Sequence, residues 1–439
     1  MFLEIKKYVA SLINKIFKAE IFRVFSFNAL ATLVKMLTGF VSIKIVAAII
    51  GPIGVALIGQ LNNFVTIAVN IASAGINNGI TKYIAEYKNQ EFIQKQYISS
   101  AAKIVLGFSL LTSLILIFFS DSISNMVLLS EEYAYIFKIF GLTIGFYGFN
   151  TLLVSIVNGY KEFKKFIYIS ICGSLIGLLF TVTLVVLFDL GGALIGIVTF
   201  QSIMFFVTIL FVKKDTWFNS SYFTQKINTK CISKLLAFSV MSFTTILLSP
   251  VSQILLRSYV ISEISPDQAG WWEGMNRISG MYLNVITSAF SIYYLPQLSA
   301  TLDKQSLKNE IKKAYKMIIS IMLLSFPIIY FFRGIIIRLL FTPEFMPMEQ
   351  LFMWQLLGDF FKISSWLLSF VMVAKGMVKE YVLTEIVFSL IFLGLAFILI
   401  QRNSVVGITQ AYFINYTIYM LFMCFFFRKR LLSDTNICI

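Results

Sequence analysis

Apolar positions fall in long blocks that follow one another almost from end to end of the chain, at 24–49, 57–81, 101–120, 136–158, 167–188, 192–212, 235–260, 270–296, 314–333, 349–374, 381–401 and 405–427. A run of about 18 or more apolar residues is long enough to cross the hydrocarbon of a bilayer. The separators carry turn chemistry: Gly51-Pro52, Gly191-Gly192, Ser265-Pro266-Asp267 and Pro343 through Pro347. The pattern predicts an all-α polytopic membrane protein of about twelve transmembrane helices. No connector is long enough to fold as a soluble domain. The expected layout is an amphipathic N-terminal helix (1–22), a six-helix bundle (23–215), a basic cytoplasmic linker (216–234) and a second six-helix bundle (235–439).

A second pattern runs inside the blocks. Span one carries Asn28, Thr32, Lys35, Gly39 and Ser42 at steps of three and four. Span two carries Asn63, Thr66, Asn70, Ser73, Asn77 and Thr81, and span seven Ser239, Ser242, Thr245, Ser249, Gln253 and Arg257. Span eight carries Glu273, Arg277, Gly280, Asn284, Thr287 and Ser291, and span ten Gln355, Asp359, Lys362 and Ser369. Such spacing puts each set on one helix face. Lipid accepts polar groups only where protein or water receives them. These stripes therefore predict a water-filled cavity lined by the first two spans of each half, a sign of pseudo-two-fold symmetry. The small polar residues of spans five and six read as helix-packing residues.

Charge orients the chain. Of 36 Lys and Arg residues against 21 Asp and Glu, most fall in alternate connectors, as the positive-inside rule requires of a chain with both ends cytoplasmic. The net charge of +15 is thereby explained by topology and anionic lipid rather than by nucleic acid. The chain has no His, and its four cysteines are scattered, so His catalysis, a zinc site and a redox motif are excluded. No phosphate-binding loop is present, so transport would run on an ion gradient, the membrane potential or the substrate gradient. A short echo also supports a repeat: Gly159 precedes Lys161-Glu162-Phe163, and Gly376 precedes Lys379-Glu380-Tyr381.

The ionisable stripe residues are the candidate site. A cation at the bilayer centre costs about 2.5–3.5 kcal/mol on insertion scales, so several of them point to function. Lys35, Arg257, Arg277 and Lys362 outnumber Glu273 and Asp359, and the surplus suits an anionic substrate. Lys35 has no acid nearby in sequence and is the leading candidate. Asp359 and Lys362 are spaced to pair with each other. Snorkelling to the interface is the alternative for Arg257 and Glu273, and the expected role of Lys44. Asp359 and Glu273 are the acids placed for ion coupling. Pro250 is a candidate hinge in span seven.

Three stretches carry a family likeness: Ala74 through Tyr83, Ile286 through Pro296, and Trp354 through Lys362. On these residues the chain resembles the Wzx-type flippases of O-antigen and enterobacterial common antigen units, in the multidrug/oligosaccharidyl-lipid/polysaccharide exporter superfamily. The resemblance implies two six-helix bundles around a basic cavity in the bacterial inner membrane. It implies transfer of undecaprenyl-pyrophosphate-linked oligosaccharide to the periplasmic leaflet by alternating access, with glycan-assembly proteins such as a polymerase as candidate partners and no cofactor. Carried over by motif, Arg257, Asp359, Lys362 and Lys82 match charged positions, whereas Arg277 departs from the pattern. Lys35, Arg257 and Arg277 would then attract pyrophosphate, and Asn63, Asn70, Asn77 and Asn284 would hydrogen-bond sugars. A cation or drug antiporter of the same fold is the alternative, and a membrane enzyme is disfavoured by the absence of His and of a large outer loop.

Overall fold

Helices account for all the regular structure among the described residues of the computed structural model, which are 20–432 apart from Asn89, Ile227 and most of 291–302. The expected amphipathic segment 1–22 lies almost wholly outside them, as do Ser291 and the side chains of Asn28 and Thr245. In chain order the helices are α1 (Glu20–Ala72), α2 (Asn77–Glu86), α3 (Glu91–Phe118), α4 (Ser120–Leu128), α5 (Ala134–Gly159), α6 (Phe163–Val212) and α7 (Ser220–Phe223). They continue with α8 (Thr229–Glu263), α9 (Pro266–Ala289), α10 (Lys304–Phe331), α11 (Arg333–Leu340), α12 (Phe352–Ala374), α13 (Val378–Asn403) and α14 (Val406–Leu432).

Eight of these helices, two of them with short 3₁₀ extensions, are long and apolar enough to cross a membrane. Two of the eight are pairs: α1 folds at Gly51 and α6 at Phe188–Asp189. Helices α8 and α9, of 35 and 24 residues, are long enough as well. The set is consistent with the twelve spans expected. Large apolar side chains stand exposed on the outer faces, with Phe118 75% and Phe331 78% accessible, as lipid-facing residues should be.

The chain forms two compact units. One holds the residues through Ser42, Ala68–Ile123 and Glu132–Ser242, and the other holds Ile43–Ile67, Ser124–Glu131 and the residues from Phe243 onward. Helix α1 therefore serves both, its residues Ile43–Ile67 belonging to the second unit. The basic linker belongs to the first unit and is tied down there. Ser99 donates to the carbonyls of Phe223 and Gln225, Lys103 also donates to Gln225, and Asn228 donates to Gln96.

The internal repeat is present in the backbone, at a different register from the echo in the sequence. Helix α5 ends with Lys161 donating to Asn158 and Glu162 to Val157; α12 ends with Gly376 donating to Val373 and Met377 to Met372. Both are Schellman closures, with Lys161 (φ 59°) and Gly376 (φ 67°) in the left-handed region. The offset is 215 at every position, so Lys161 corresponds to Gly376, and the two Lys-Glu-aromatic strings do not superpose. The next turns obey the same offset: Asp189 (φ 47°, ψ −130°) matches Ser404 (φ 51°, ψ −143°). The turn expected at Gly191-Gly192 thus lies two residues earlier. Gly192 serves close approach instead, since a Cβ there would sit 1.9 Å from the Leu184 carbonyl oxygen, and at Gly407 2.3 Å from that of Leu399.

The polar face of span two is not continuous. Helix α1 ends in a third Schellman closure, Ala74 donating to Ile71 and Gly75 to Asn70, and α2 starts afresh at Asn77. Asn77 and Thr81 therefore leave the stripe of Asn63, Thr66 and Asn70. Pro250 lies inside an uninterrupted α8. The Lys44 ammonium donates to the carbonyls of Arg338 (2.8 Å) and Phe341, at the open C-terminus of α11.

Gly192→Ala and Gly407→Ala should each lower the melting temperature of the detergent-solubilised protein, at the cost of about 1–3 kcal/mol expected of overpacking. Gly394→Ala, with open space around its Cβ, should leave it unchanged.

Candidate functional site

Each unit contains a polar cavity, and the two differ in charge. In the first unit, α1, α5 and α6 enclose about 510 Å3. Among the described residues, Lys35 is the only charged one that lines it. The α6 wall carries Ser170, Gly173, Ser174, Gly177 and Thr181, one helix face by spacing. These span-five residues, expected to pack helices, line the cavity instead. Asn150 and Gln201 close it from α5 and the second half of α6. Asn150 is buried; it accepts from Thr208 (2.7 Å) and donates to Gln201 Oε1 (3.0 Å).

In the second unit, α8, α9, α12, α13 and α14 enclose about 260 Å3. Its charged lining residues are Lys362 and Glu385. Asp359, one turn before Lys362 and fully buried, does not pair with it among the described residues. Its carboxylate accepts from the hydroxyls of Ser279 (2.7 Å), Tyr412 (2.7 Å) and Tyr282 instead. The Lys362 ammonium lies 5.1–5.2 Å from the ring centres of Trp366, Tyr412 and Tyr416, a three-ring cage. Tyr412 thus gives its hydroxyl to the acid and its ring to the base. Two amide atoms at this cavity, Asn276 Nδ2 and Asn415 Oδ1, are buried without a protein partner.

Beside this cavity lies a buried ion network. Arg257 is fully buried, which removes the snorkelling alternative. It donates to Glu273 Oε2 (2.6 Å) and to Gln60 Oε1 (3.1 Å), and its guanidinium lies 5.3 Å from the Trp272 ring. Arg277, half-buried, donates to the other oxygen of Glu273 (3.0 Å). Two arginines against one carboxylate leave one positive charge, on the Arg277 side. Gly59 makes the approach of Glu273 possible, since a Cβ there would lie 2.4 Å from the carboxyl carbon.

The remaining candidates are dispersed. Asn63 donates to Gln253 (3.2 Å), and Asn284 is exposed on α9. Asn77 donates to Ser73 while its Oδ1 is buried without a protein partner. Asn63, Asn70, Asn77 and Asn284 line neither cavity. Lys82, exposed on α2, lies by the rings of Tyr83 and Phe238. Glu385, Gln201 and the α6 hydroxyls were missed in the sequence. Glu385 stands alone in an apolar block, a signal in itself. Cys231 is buried, and burial pushes its thiol up from the ordinary value, which keeps it protonated and inert.

The family model for polysaccharide biosynthesis proteins matches residues 21–302, well over half of the chain. The chain belongs to the polysaccharide biosynthesis protein family. This family member is similar along nearly its whole length to the lipid III flippase of Escherichia coli K12, with 28% identity over 397 residues, 90% of this chain and 95% of the relative. Its fold matches an inward-facing multidrug resistance MATE family transporter of the MOP superfamily, with a TM-score of 0.74 at 15% identity over 91% and 98% of the two chains. It also matches the lipid II flippase MurJ in an inward closed conformation, with a TM-score of 0.70 at 14% identity over 92% and 87%. The polysaccharide biosynthesis protein described here is thus a multi-pass membrane protein of the MOP transporter fold.

Glu273→Ala should reduce membrane abundance and melting temperature sharply. It leaves Arg257 buried and unpaired, which costs about 3–5 kcal/mol. Arg277→Gln, on a half-buried partner, should lower the same two quantities only mildly.

Proposed function

We propose that this polysaccharide biosynthesis protein moves a lipid-linked oligosaccharide, carried on undecaprenyl pyrophosphate, from the cytoplasmic to the periplasmic leaflet of the bacterial inner membrane, with both termini cytoplasmic. The observation that carries the reading is Lys35, the one cation among the described residues of a cavity whose lining also offers hydroxyls and amides. An unneutralised ammonium in such a wall attracts phosphate, and the neutral donors and acceptors suit sugar hydroxyls. The near full-length similarity to a lipid III flippase supports it. Arg277 is the second phosphate-attracting group, and Arg257 acts behind it by holding Glu273. Asp359, with Glu385, is the pair suited to ion coupling, because Glu273 is already matched by two arginines. The glycan polymerase that consumes the flipped unit is a candidate partner.

The antiporter reading rests on the MATE-like fold and on the acids of the second cavity. A drug-cation carrier, however, has no use for an unpaired lysine facing its cavity. Deleting the gene from its host should abolish surface glycan. The wild-type chain and Lys35→Arg should restore it, and Lys35→Ala should not, despite equal membrane abundance. Full glycan from Lys35→Ala, or drug sensitivity as the sole defect of the deletion, would count against the flippase reading.

A further inference from the structure

The lining of the first-unit cavity is of two chemical kinds. One is Lys35 on α1, a cation that no described acid neutralises within the cavity. The other is uncharged. The Thr208–Asn150–Gln201 chain is anchored on two buried side chains, and it uses the carbonyl oxygen of Gln201. That leaves the Gln201 amide nitrogen as the donor presented to the cavity. Two other lining hydroxyls are turned the other way. Ser174 donates to the Ser170 carbonyl (3.0 Å) and Thr38 to that of Val34 (2.9 Å), so both offer lone pairs inward. Fixed donors facing fixed acceptors suit a group whose hydroxyls both give and accept hydrogen bonds. An apolar face is present too. The Phe200 ring lines the cavity and rests on Gly177, where a Cβ would come within 3.0 Å of it. The C–H face of a pyranose fits such a ring. Acyl chains would leave Gln201, Ser174 and Lys35 unmatched, which hydrocarbon penalises.

We propose that this cavity is the glycan subsite of the transporter, with Gln201, Ser174 and Phe200 reading the pyranose nearest the pyrophosphate and Lys35 holding the phosphate beside it. The inference rests on the flippase reading and adds to it where the sugar sits. Asn150 is a positioning residue, which fixes the Gln201 amide without touching the sugar.

Binding to the purified full-length chain in detergent tests it, with two probes: undecaprenyl pyrophosphate, and undecaprenyl-pyrophosphoryl-N-acetylglucosamine. Wild-type protein should bind the glycosylated probe more tightly. Gln201→Ala should weaken that probe by about tenfold, the scale of one or two lost hydrogen bonds, and leave the sugar-free probe unchanged. Gly173→Leu should do the same by filling the cavity, since a Cβ at Gly173 meets only Met204. Lys35→Ala should weaken both probes. Equal binding of the two probes by wild type, or a loss from Gln201→Ala and Gly173→Leu that is equal for both probes or absent, overturns the subsite and leaves the flippase reading standing. Failure of wild type to bind either probe overturns both.

Discussion

A charge inside a bilayer costs several kcal/mol unless protein or water receives it, and the described ionisable groups of the spans answer that constraint in different ways. Arg257 is neutralised by Glu273 and donates to Gln60, while its Nε is buried without a hydrogen-bond partner. Lys362 is caged by three aromatic rings and shares the lining of a small cavity with Glu385. Asp359 is held by three hydroxyls rather than by a cation. Lys44 is satisfied by the carbonyl end of a short helix. Lys35 alone among these cations faces a cavity with no acid in its lining. The packing around Gly59 follows from the same constraint, since Glu273 can reach its two arginines only over a residue without a side chain.

Much of the architecture could be read from the chain because the bilayer imposes it. Backbone groups in hydrocarbon must bond within their own helix, so block length and turn residues report spans directly. Where reading failed, a local geometry had a non-obvious sequence. The Schellman closure after α5 places Lys161 in the left-handed region, where glycine is the expected residue, so its equivalence to Gly376 was invisible. The break after Ala72 was hidden because Ser73 and Asn77 keep helical spacing across it, and periodicity cannot see a turn that preserves the phase.

The site was legible in its residue types and not in its partnerships. The stripes of spans one, seven, eight and ten do carry the charged groups of the cavities and the ion network, Glu385 apart. Pairing is a tertiary property, however. Asp359 and Lys362 are spaced to bridge, yet Tyr282, Tyr412 and Ser279 arrive from two other helices and take the carboxylate first. The α6 hydroxyls show the converse error. Ser170, Ser174 and Thr181 look like packing residues from spacing alone, and only the helices facing them decide that they border a cavity.

The distribution of compensated and uncompensated charge separates two tasks. A group whose charge is matched inside the protein can change its proton or ion occupancy without a substrate, because its neighbours absorb the change. A group left unmatched can be satisfied only by something that enters. The second-unit cavity, with Lys362, Glu385 and Asp359 in mutual reach of hydroxyls and rings, belongs to the first kind. The first-unit cavity, with Lys35 among neutral donors and acceptors, belongs to the second. On the proposed reading, substrate capture and energetic coupling fall to different halves of one repeated topology. That requires the halves to share backbone geometry while differing in side chains, as the turns offset by 215 residues show them to do.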